Sequence, residues 1–147
     1  MAIKVNFDNV PDANQPAWEI LVPPGWYHVR IHDLNEFDSK KGEPCWGLKL
    51  EHQGEPCFIA EDVLCFTAKA LSRVKVLYKA LGLPHKGEIN CDPTQVFNQQ
   101  VYVYLEEDSY GGKTRMKPVF DGYRNLGDLE IKKLIEKRKI GEKDIPF

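Results

Sequence analysis

The stretch Gly25-Trp26-Tyr27-His28-Val29-Arg30-Ile31-His32 decides the fold class of this 147-residue chain. Apolar and polar residues alternate along it, and a period of two indicates a strand that turns one face towards a core. Val22-Pro23-Pro24-Gly25 forms a rigid entry that ends in a flexible residue. The sequence therefore predicts a first strand from Trp26 to Phe37.

The alternation resumes twice after short breaks. A turn at Asp38-Ser39-Lys40-Lys41-Gly42, with glycine at its end, leads into a second strand from Cys45 to His52. A further break at Gln53-Gly54-Glu55-Pro56 precedes a third strand from Cys57 to Phe66. We expect these three strands to form a meander.

After the third strand the period of the apolar residues changes from two to that of a helix. Helical spacing extends from Thr67 to Leu81, where Thr67 is suited to the N-cap and Gly82 is a stop signal. A short helical turn is expected from Thr94 to Phe97. This segment therefore separates the first three strands from the rest of the chain.

Two more strands are predicted, from Val101 to Leu105 and from Arg115 to Phe120, with a turn at Ser109-Tyr110-Gly111-Gly112-Lys113. Three strands, a helix and two strands are the order of the OB-fold, a five-stranded Greek-key barrel. We therefore predict an all-β domain with one helix, an OB-fold barrel of β-β-β-α-β-β order, over residues 1–125. A C-terminal helical tail is expected over residues 126–147. An open α+β sheet with the helix on one face is the alternative architecture.

Composition and charge narrow the class of protein. The formal net charge is −2, which leaves room for a local basic groove because steering depends on where charges lie. No apolar run approaches the roughly 18 residues that a membrane span needs. The first seven residues lack a signal-peptide core, so we expect a cytoplasmic protein without membrane contact.

Enzymatic and metal chemistry find little support in the sequence. The motifs of P-loop enzymes, serine hydrolases and zinc proteases are absent, so we expect a protein that is not an enzyme. The four cysteines are scattered without a Cys-x-x-Cys pair and are expected to be small buried hydrophobes. His28 and His32 would share a strand face without matching ligands. We expect neither a metal nor a cofactor.

The chain ends in Asp144, Ile145, Pro146 and Phe147. A terminal aromatic side chain beside a free carboxylate fits a basic-rimmed apolar pocket on another protein. Pro146 restricts the backbone, so less entropy is lost on docking. We expect these four residues to be a protein-interaction tip; an end that folds back on the body is the alternative.

Several short motifs resemble those of a family of small phage proteins that are encoded among replication and recombination genes. The resemblance covers roughly residues 18–125 and rests on Gly25-x-Tyr27-x-Val29-x-Ile31, Ser39-Lys40-Lys41-Gly42-Glu43-Pro44, Leu48-x-Leu50 and the segment Leu71–Leu81, which leads into Gly82. The tip resembles the end of bacterial and phage single-stranded DNA-binding (SSB) proteins. Together these resemblances imply a phage-type SSB protein in the host cytoplasm, whose tip recruits replication or recombination proteins.

Binding to single strands without sequence preference requires aromatic planes for the bases and cations for the phosphates. Tyr102 and Tyr104 lie opposite an aliphatic strand face and are predicted to form a stacking platform. The full set of predicted DNA-binding residues is Arg30, Lys40, Lys41, Trp46, Lys49, Tyr102, Tyr104, Tyr110, Lys113, Arg115 and Lys117. Both loops that flank the usual OB-fold cleft carry lysine, namely Lys40 and Lys41 in the first and Lys113 in the second.

The sequence leaves alternatives open at these positions. The two tyrosines could pack under the helix or the tail, and Trp46 shares its parity with core leucines. A pure adaptor that binds only protein is the competing function, because Ile131, Leu134 and Ile135 form a narrow apolar stripe on the charged tail. Homo-oligomer formation, and a choice between DNA and RNA, are not decided by the sequence.

Overall fold

The computed structural model of the chain describes residues 2–6, 23–53, 58–110 and 112–143. Its elements in chain order are β1 (Gly25–Asp38), β2 (Pro44–His52), β3 (Phe58–Cys65), α1 (Leu71–Ala80), α2 (Pro93–Val96), β4 (Gln100–Tyr110), β5 (Lys113–Arg124) and α3 (Leu129–Lys143). The strands form one antiparallel sheet in the order β3-β2-β1-β4-β5. The predicted β-rich class and the order of the elements are confirmed. No helix in the described ranges is long and apolar enough to cross a membrane.

The core lies against one face of the sheet, as the alternating sequence predicted. Tyr27, Val29 and Ile31 of β1 are buried there, and Val101 and Val103 of β4 meet them from the neighbouring strand. Apolar residues of β2, β3 and β5 and one side of α1 complete this core. Its further buried members include Leu48, Leu50, Leu64, Val74, Leu77, Leu105, Met116 and Tyr123.

The long strand β1 serves both halves of the sheet. Its first part, Gly25–Arg30, pairs with β4, and its later part, Val29–Asp38, pairs with β2. The register shifts between Ile31 and Asp33, and such a bulge bends a strand and increases its twist. β1 can therefore leave one partner and continue along the other.

The segment between β3 and β4 departs from the predicted helix at its start. α1 begins at Leu71, and its N-cap residue is Ala70 rather than Thr67. Thr67 instead accepts a hydrogen bond from the backbone N–H of Ala70, which holds the turn before the helix. The predicted N-cap is therefore wrong by three positions, whereas the short helical turn is confirmed as α2 and is capped by Asp92.

The sheet is open, and β3 and β5 are its edges in the described residues. These edges nevertheless approach each other through buried polar side chains. Asp62 of β3 accepts hydrogen bonds from Tyr123 of β5 at 2.6 Å and from Arg73 of α1 at 2.7 Å. A strand from each end of the sheet is thus tied to the same helix.

The helix α3 packs on the outer face of the sheet, opposite the core. Ile131 and Ile135 are buried against Tyr102, and Trp26 and Leu126 lie at the edge of this contact. Leu134 stays 55% exposed. Two of the three residues of the apolar stripe on the tail therefore pack on the sheet.

Candidate nucleic-acid interface

The outer face of β1, β2 and β3 is organised in rows, because residues opposite each other in an antiparallel ladder share a face. Three such rows run across the strands. They are Phe37–Cys45–Cys65, Asn35–Gly47–Val63 and Asp33–Lys49–Glu61. Phe37 of the first row, Asn35, Gly47 and Val63 of the second and Glu61 of the third line one concavity together with residues of β5.

A groove of about 310 Å³ lies on this face. We call it the outer groove and define it by six of its lining residues: Asn35, Phe37, Gly47, Val63, Arg115 and Lys117. The first four come from the central rows, and the two cations come from β5. The groove therefore lies where the β4–β5 hairpin meets the outer face of β1, β2 and β3.

Glycine at position 47 keeps the floor of the outer groove open. A Cβ atom built on Gly47 would lie 2.6 Å from Oδ1 of Asn35 and 3.5 Å from the ring of Phe37. The first distance is too short for any real contact, so a side chain here would displace Asn35. The backbone of β2 is therefore directly accessible between Asn35 and Val63.

The apolar part of the outer groove is exposed to solvent. Phe37 is 39% exposed and Val63 is 48% exposed, although both belong to well-paired strands. Exposed apolar side chains that lie together in a concavity indicate a binding surface more often than isolated ones do. Phe37 supplies the aromatic plane that a base could stack on.

Two cations of the outer groove lie on β5, and a third lining cation, Arg73 of α1, is paired with the buried carboxylate of Asp62. Arg115 and Lys117 are exposed, and their opposite residues on β4 are Asp108 and Glu106. The carboxylate of Glu61 also lines the groove. These carboxylates lower the local positive potential, so a bound polyanion would gain less from charge than two isolated cations would give.

The remaining predicted cations occupy different settings. Lys40 and Lys41 are exposed on the turn between β1 and β2, immediately after the row that contains Phe37. Lys49 is half-buried between Asp33 and Glu61 in the third row. The turn lysines therefore follow the end of β1 that carries Phe37, whereas Lys49 lies among acidic neighbours.

Arg30 lies on the outer face of β1 away from the outer groove. Its guanidinium is 3.2 Å from the Glu51 carboxylate and also donates to the side chain of Asn98. Its side chain is 30% exposed. Arg30 thus joins β1 to β2 and to the loop before β4, and its charge is already compensated by Glu51.

The predicted stacking platform is not an exposed pair. Tyr102 is only 6% exposed because Ile131 and Ile135 of α3 cover it. Burial raises the pKa of Tyr102, with smaller contributions from the carboxylates of Glu136 and Asp128. Tyr102 therefore lies on the predicted face, opposite Val101 and Val103 of the core, but the tail covers it, so it is not an exposed stacking surface.

Tyr104 stays half-buried on the same face. Its ring meets Trp26 edge-on with 5.3 Å between centroids, and the Arg124 guanidinium lies 5.8 Å from the centroid of Trp26. Trp26 therefore contacts both Tyr104 and Arg124 near the start of β1. The structure brings Tyr104 together with Trp26 rather than with the outer groove.

Trp46 is a core residue. It is 4% exposed, lies opposite Leu64 on the inner face, and packs against Phe66 with 4.7 Å between ring centroids. Its parity with Leu48 places it on the core side of β2. The alternative that Trp46 belongs to the core is therefore confirmed, and its side chain is not on the surface where nucleic acid would bind.

For several predicted residues the structure describes no side chain. Tyr110 ends β4 and Lys113 begins β5, but their side chains are not among those described. The tip residues Asp144, Ile145, Pro146 and Phe147 also lie outside the described ranges. Their predicted roles stay predictions.

The sequence analysis predicted neither Phe37 nor Val63 as a groove residue, and for Phe37 the cause is the bulge in β1. Before the bulge the inward residues of β1 have odd numbers, and after it Leu34 is the residue that packs on the core. Phe37 therefore faces outward despite its odd number. Only the position of the bulge would have revealed this.

No protein-family model matches the chain, and no curated protein matches it either. The resemblance to phage proteins and to SSB tips therefore stays a prediction from the residues. Within the described ranges, no group of three or more His, Cys, Asp or Glu side chains is placed to hold a metal ion. What the outer groove can bind is inferred from its own geometry.

Proposed function

We propose that the protein binds single-stranded DNA with little sequence preference in phage replication or recombination. The observation that carries the proposal is the outer groove, where the exposed ring of Phe37 lies in the same concavity as Arg115 and Lys117. Lys40 and Lys41 follow on the adjacent turn. An aromatic plane flanked by cations is the combination that single strands require.

We also propose that the domain is an OB-type barrel. The observed order β3-β2-β1-β4-β5 becomes the closed order of that fold if β3 meets β5. The hydrogen bond between Tyr123 and Asp62 supports this closure because it joins those two strands. In OB-folds, oligonucleotides bind the face of strands 2 and 3 between the loops that join strands 1–2 and 4–5. The lining of the outer groove by residues of β2, β3 and β5 supports this proposal.

Unpaired bases fit the outer groove better than a duplex does. A single strand offers the flat face of each base to an aromatic ring, whereas bases in a duplex are stacked on their neighbours and must be extruded first. Phe37 and Val63 form an apolar surface that ordinary phosphate contacts would leave exposed. Stacking on Phe37 is worth about 1–3 kcal/mol per base.

Electrostatic attraction is expected to be the smaller contribution. The carboxylates of Asp108, Glu106 and Glu61 lie close to the two cations of the outer groove. Few phosphates are then neutralised, and each contributes about 0.7 to the slope of log affinity against log salt for single strands. We expect a slope of about −1.5 to −3, from roughly two to four phosphate contacts.

Fluorescence anisotropy with the full chain tests the proposal. Oligo-dT should bind much more tightly than a duplex of equal length, and binding should require a minimum strand length. Oligonucleotides of mixed sequence should bind within a few-fold of oligo-dT. Equal affinity for single and double strands, or no binding to either, would overturn the proposal.

A second cavity keeps the adaptor as the alternative function. It has a volume of about 640 Å³ and lies between α1 and the end of β5, where Val76 and Ala80 face Tyr123. Its lining is largely apolar, and Lys75 and Lys79 belong to it as well. If the full chain binds no single strand, this cavity and the tip become the surfaces to test with protein partners.

A further inference from the structure

Two cysteines face each other beside the outer groove. Cys45 of β2 and Cys65 of β3 are directly opposite in register, and their Sγ atoms are 2.7 Å apart. Phe37 is opposite Cys45 on the other side, so all three residues form one row across β1, β2 and β3. Cys45 is fully buried, whereas Cys65 is partly exposed.

The backbone at this pair suits a covalent link. Opposed residues of an antiparallel ladder have Cα atoms about 4.5–5.5 Å apart. Disulfides span Cα distances of about 4.4–6.8 Å. We propose that Cys45 and Cys65 are a reversible disulfide site that links β2 to β3 beside Phe37.

The oxidant would be a low-molecular-weight disulfide such as oxidised glutathione. The sulfur of Cys65 attacks one sulfur of that molecule and forms a mixed disulfide with it, while the S–S bond of the oxidant breaks and its other sulfur leaves as a thiol with the proton of Cys65. The sulfur of Cys45 then attacks Cys65, and the second small thiol leaves with the proton of Cys45. One disulfide is reduced to two thiols while two protein thiols are oxidised to one disulfide.

The two thiols have unequal roles in this exchange. Cys65 is the thiol that a small disulfide can reach, because Cys45 has no exposed surface. Burial, together with the neighbouring Cys65 thiol, raises the pKa of Cys45 to about 11. Cys45 is thus protected from external oxidants, and its proximity to Cys65 makes it the resolving thiol.

The link would act on the strands that carry the outer groove. It closes a loop between two residues that are 20 positions apart in the chain, and closing such a loop removes conformations from the unfolded state. Intracellular disulfides are usually transient or redox-sensing. The pair would therefore stiffen β2 and β3 under oxidising conditions and release them when small thiols predominate.

Peptide mapping of the full chain tests the site. The protein is incubated with millimolar oxidised glutathione, free thiols are alkylated, and the digest is analysed by mass spectrometry. We expect a peptide pair linked through Cys45 and Cys65, and a melting temperature that rises by about 5–10 °C and returns with dithiothreitol. Cys91→Ser, which changes an exposed thiol, should keep both results, whereas Cys65→Ser should lose both.

Two outcomes would overturn the proposal. One is a folded, oxidised protein in which Cys65 carries glutathione and no Cys45–Cys65 peptide forms. The other is a linked peptide that joins Cys65 to Cys57 or Cys91 instead of Cys45. Both are read from the unsubstituted chain, so the conclusion does not depend on whether a cysteine variant folds.

Discussion

The phenol of Tyr123 on β5 donates a 2.6 Å hydrogen bond to Oδ2 of Asp62 on β3. The same carboxylate accepts from Arg73 of α1 at 2.7 Å, and its Oδ1 accepts from the backbone N–H of Val63 at 2.8 Å. Three donors satisfy a carboxylate that has lost its water, since buried polar groups are costly without partners. The contact between the two edge strands therefore depends on one buried acid that three segments share.

We expect Tyr123→Phe to lower the free energy of unfolding by about 1.5–3 kcal/mol, the value of a hydrogen bond to a charged group. Burial raises the pKa of Tyr123 well above its ordinary value, and the Asp62 carboxylate raises it further. The folded protein therefore keeps the phenol proton above about pH 10, where unfolded tyrosine releases it. Stability should fall as pH rises through that range, and less steeply in Tyr123→Phe.

Chemical denaturation at pH 7 and melting curves between pH 8 and pH 11.5 measure both effects. Tyr104→Phe is the matched control, because Tyr104 is half-buried on the outer face and its loss of a hydroxyl should change stability by less than about 0.5 kcal/mol. An unchanged alkaline slope in Tyr123→Phe would show that other groups govern the alkaline transition.

The strands could be predicted from the sequence because alternation is a local signal. Tyr27, Val29 and Ile31 reach the core as predicted, and every predicted strand is present. The bulge between Ile31 and Asp33 is not encoded in a recognisable motif, and it reverses the parity of the rest of β1. The alternation alone therefore could not predict that Phe37 lies on the outer face.

The choice between an exposed and a covered Tyr102 also could not be made from the sequence. Tyrosine is often half-buried, and both readings satisfy the alternation of β4. The outcome depends on where α3 docks, and Ile131 and Ile135 lie about 30 positions away along the chain. Long-range packing thus decides the candidate site, although short-range patterns decide the strands.

Phe37→Ala should weaken oligo-dT binding by about 1–3 kcal/mol, because one stacked base is lost. The slope of log affinity against log salt should hardly change, since no phosphate contact is removed. Anisotropy titrations at several salt concentrations measure both quantities. Phe120→Ala is the matched control, because Phe120 is 59% exposed and does not line the outer groove. Equal losses in the two variants would exclude Phe37 as a specific stacking residue.

Lys117→Gln and Arg115→Gln should change the salt dependence of binding, which Phe37→Ala should leave nearly unchanged. Each removes a cation of the outer groove and should flatten the salt slope by about 0.7 if it contacts one phosphate. The loss of affinity should be largest at low salt and should vanish as salt rises. Lys132→Gln is the matched control, because it removes the same charge from the exposed side of α3, away from the outer groove. A flattened slope in that control would indicate diffuse attraction instead of a defined path for the strand.

Ile135→Ala tests the packing of α3. Ile135 is 7% exposed against Tyr102, so its truncation should cost about 2 kcal/mol or more of stability. Leu134→Ala, one residue away and 55% exposed, should cost far less. Affinity for oligo-dT should be retained in both variants, because the outer groove lies elsewhere on the sheet. Tighter binding by Ile135→Ala would instead indicate that α3 covers a stacking surface at Tyr102.

Deletion of Asp144–Phe147 should separate the two proposed activities. We expect the shortened protein to fold and to bind oligo-dT with undiminished affinity, because the outer groove contains none of these residues. Capture of replication or recombination proteins from an infected-cell extract should be lost, since a terminal aromatic residue and its carboxylate would form the centre of so small an interface.

Residues added after Phe147 provide the sharper form of this test. The extension keeps every side chain of the tip and converts the terminal carboxylate into a peptide bond. If the tip binds through its free carboxylate, the extended protein should fail to capture partners in the same manner as the deletion. Capture equal to that of the unmodified chain would show that the carboxylate has no role, and the resemblance to SSB tips would then lose its functional meaning.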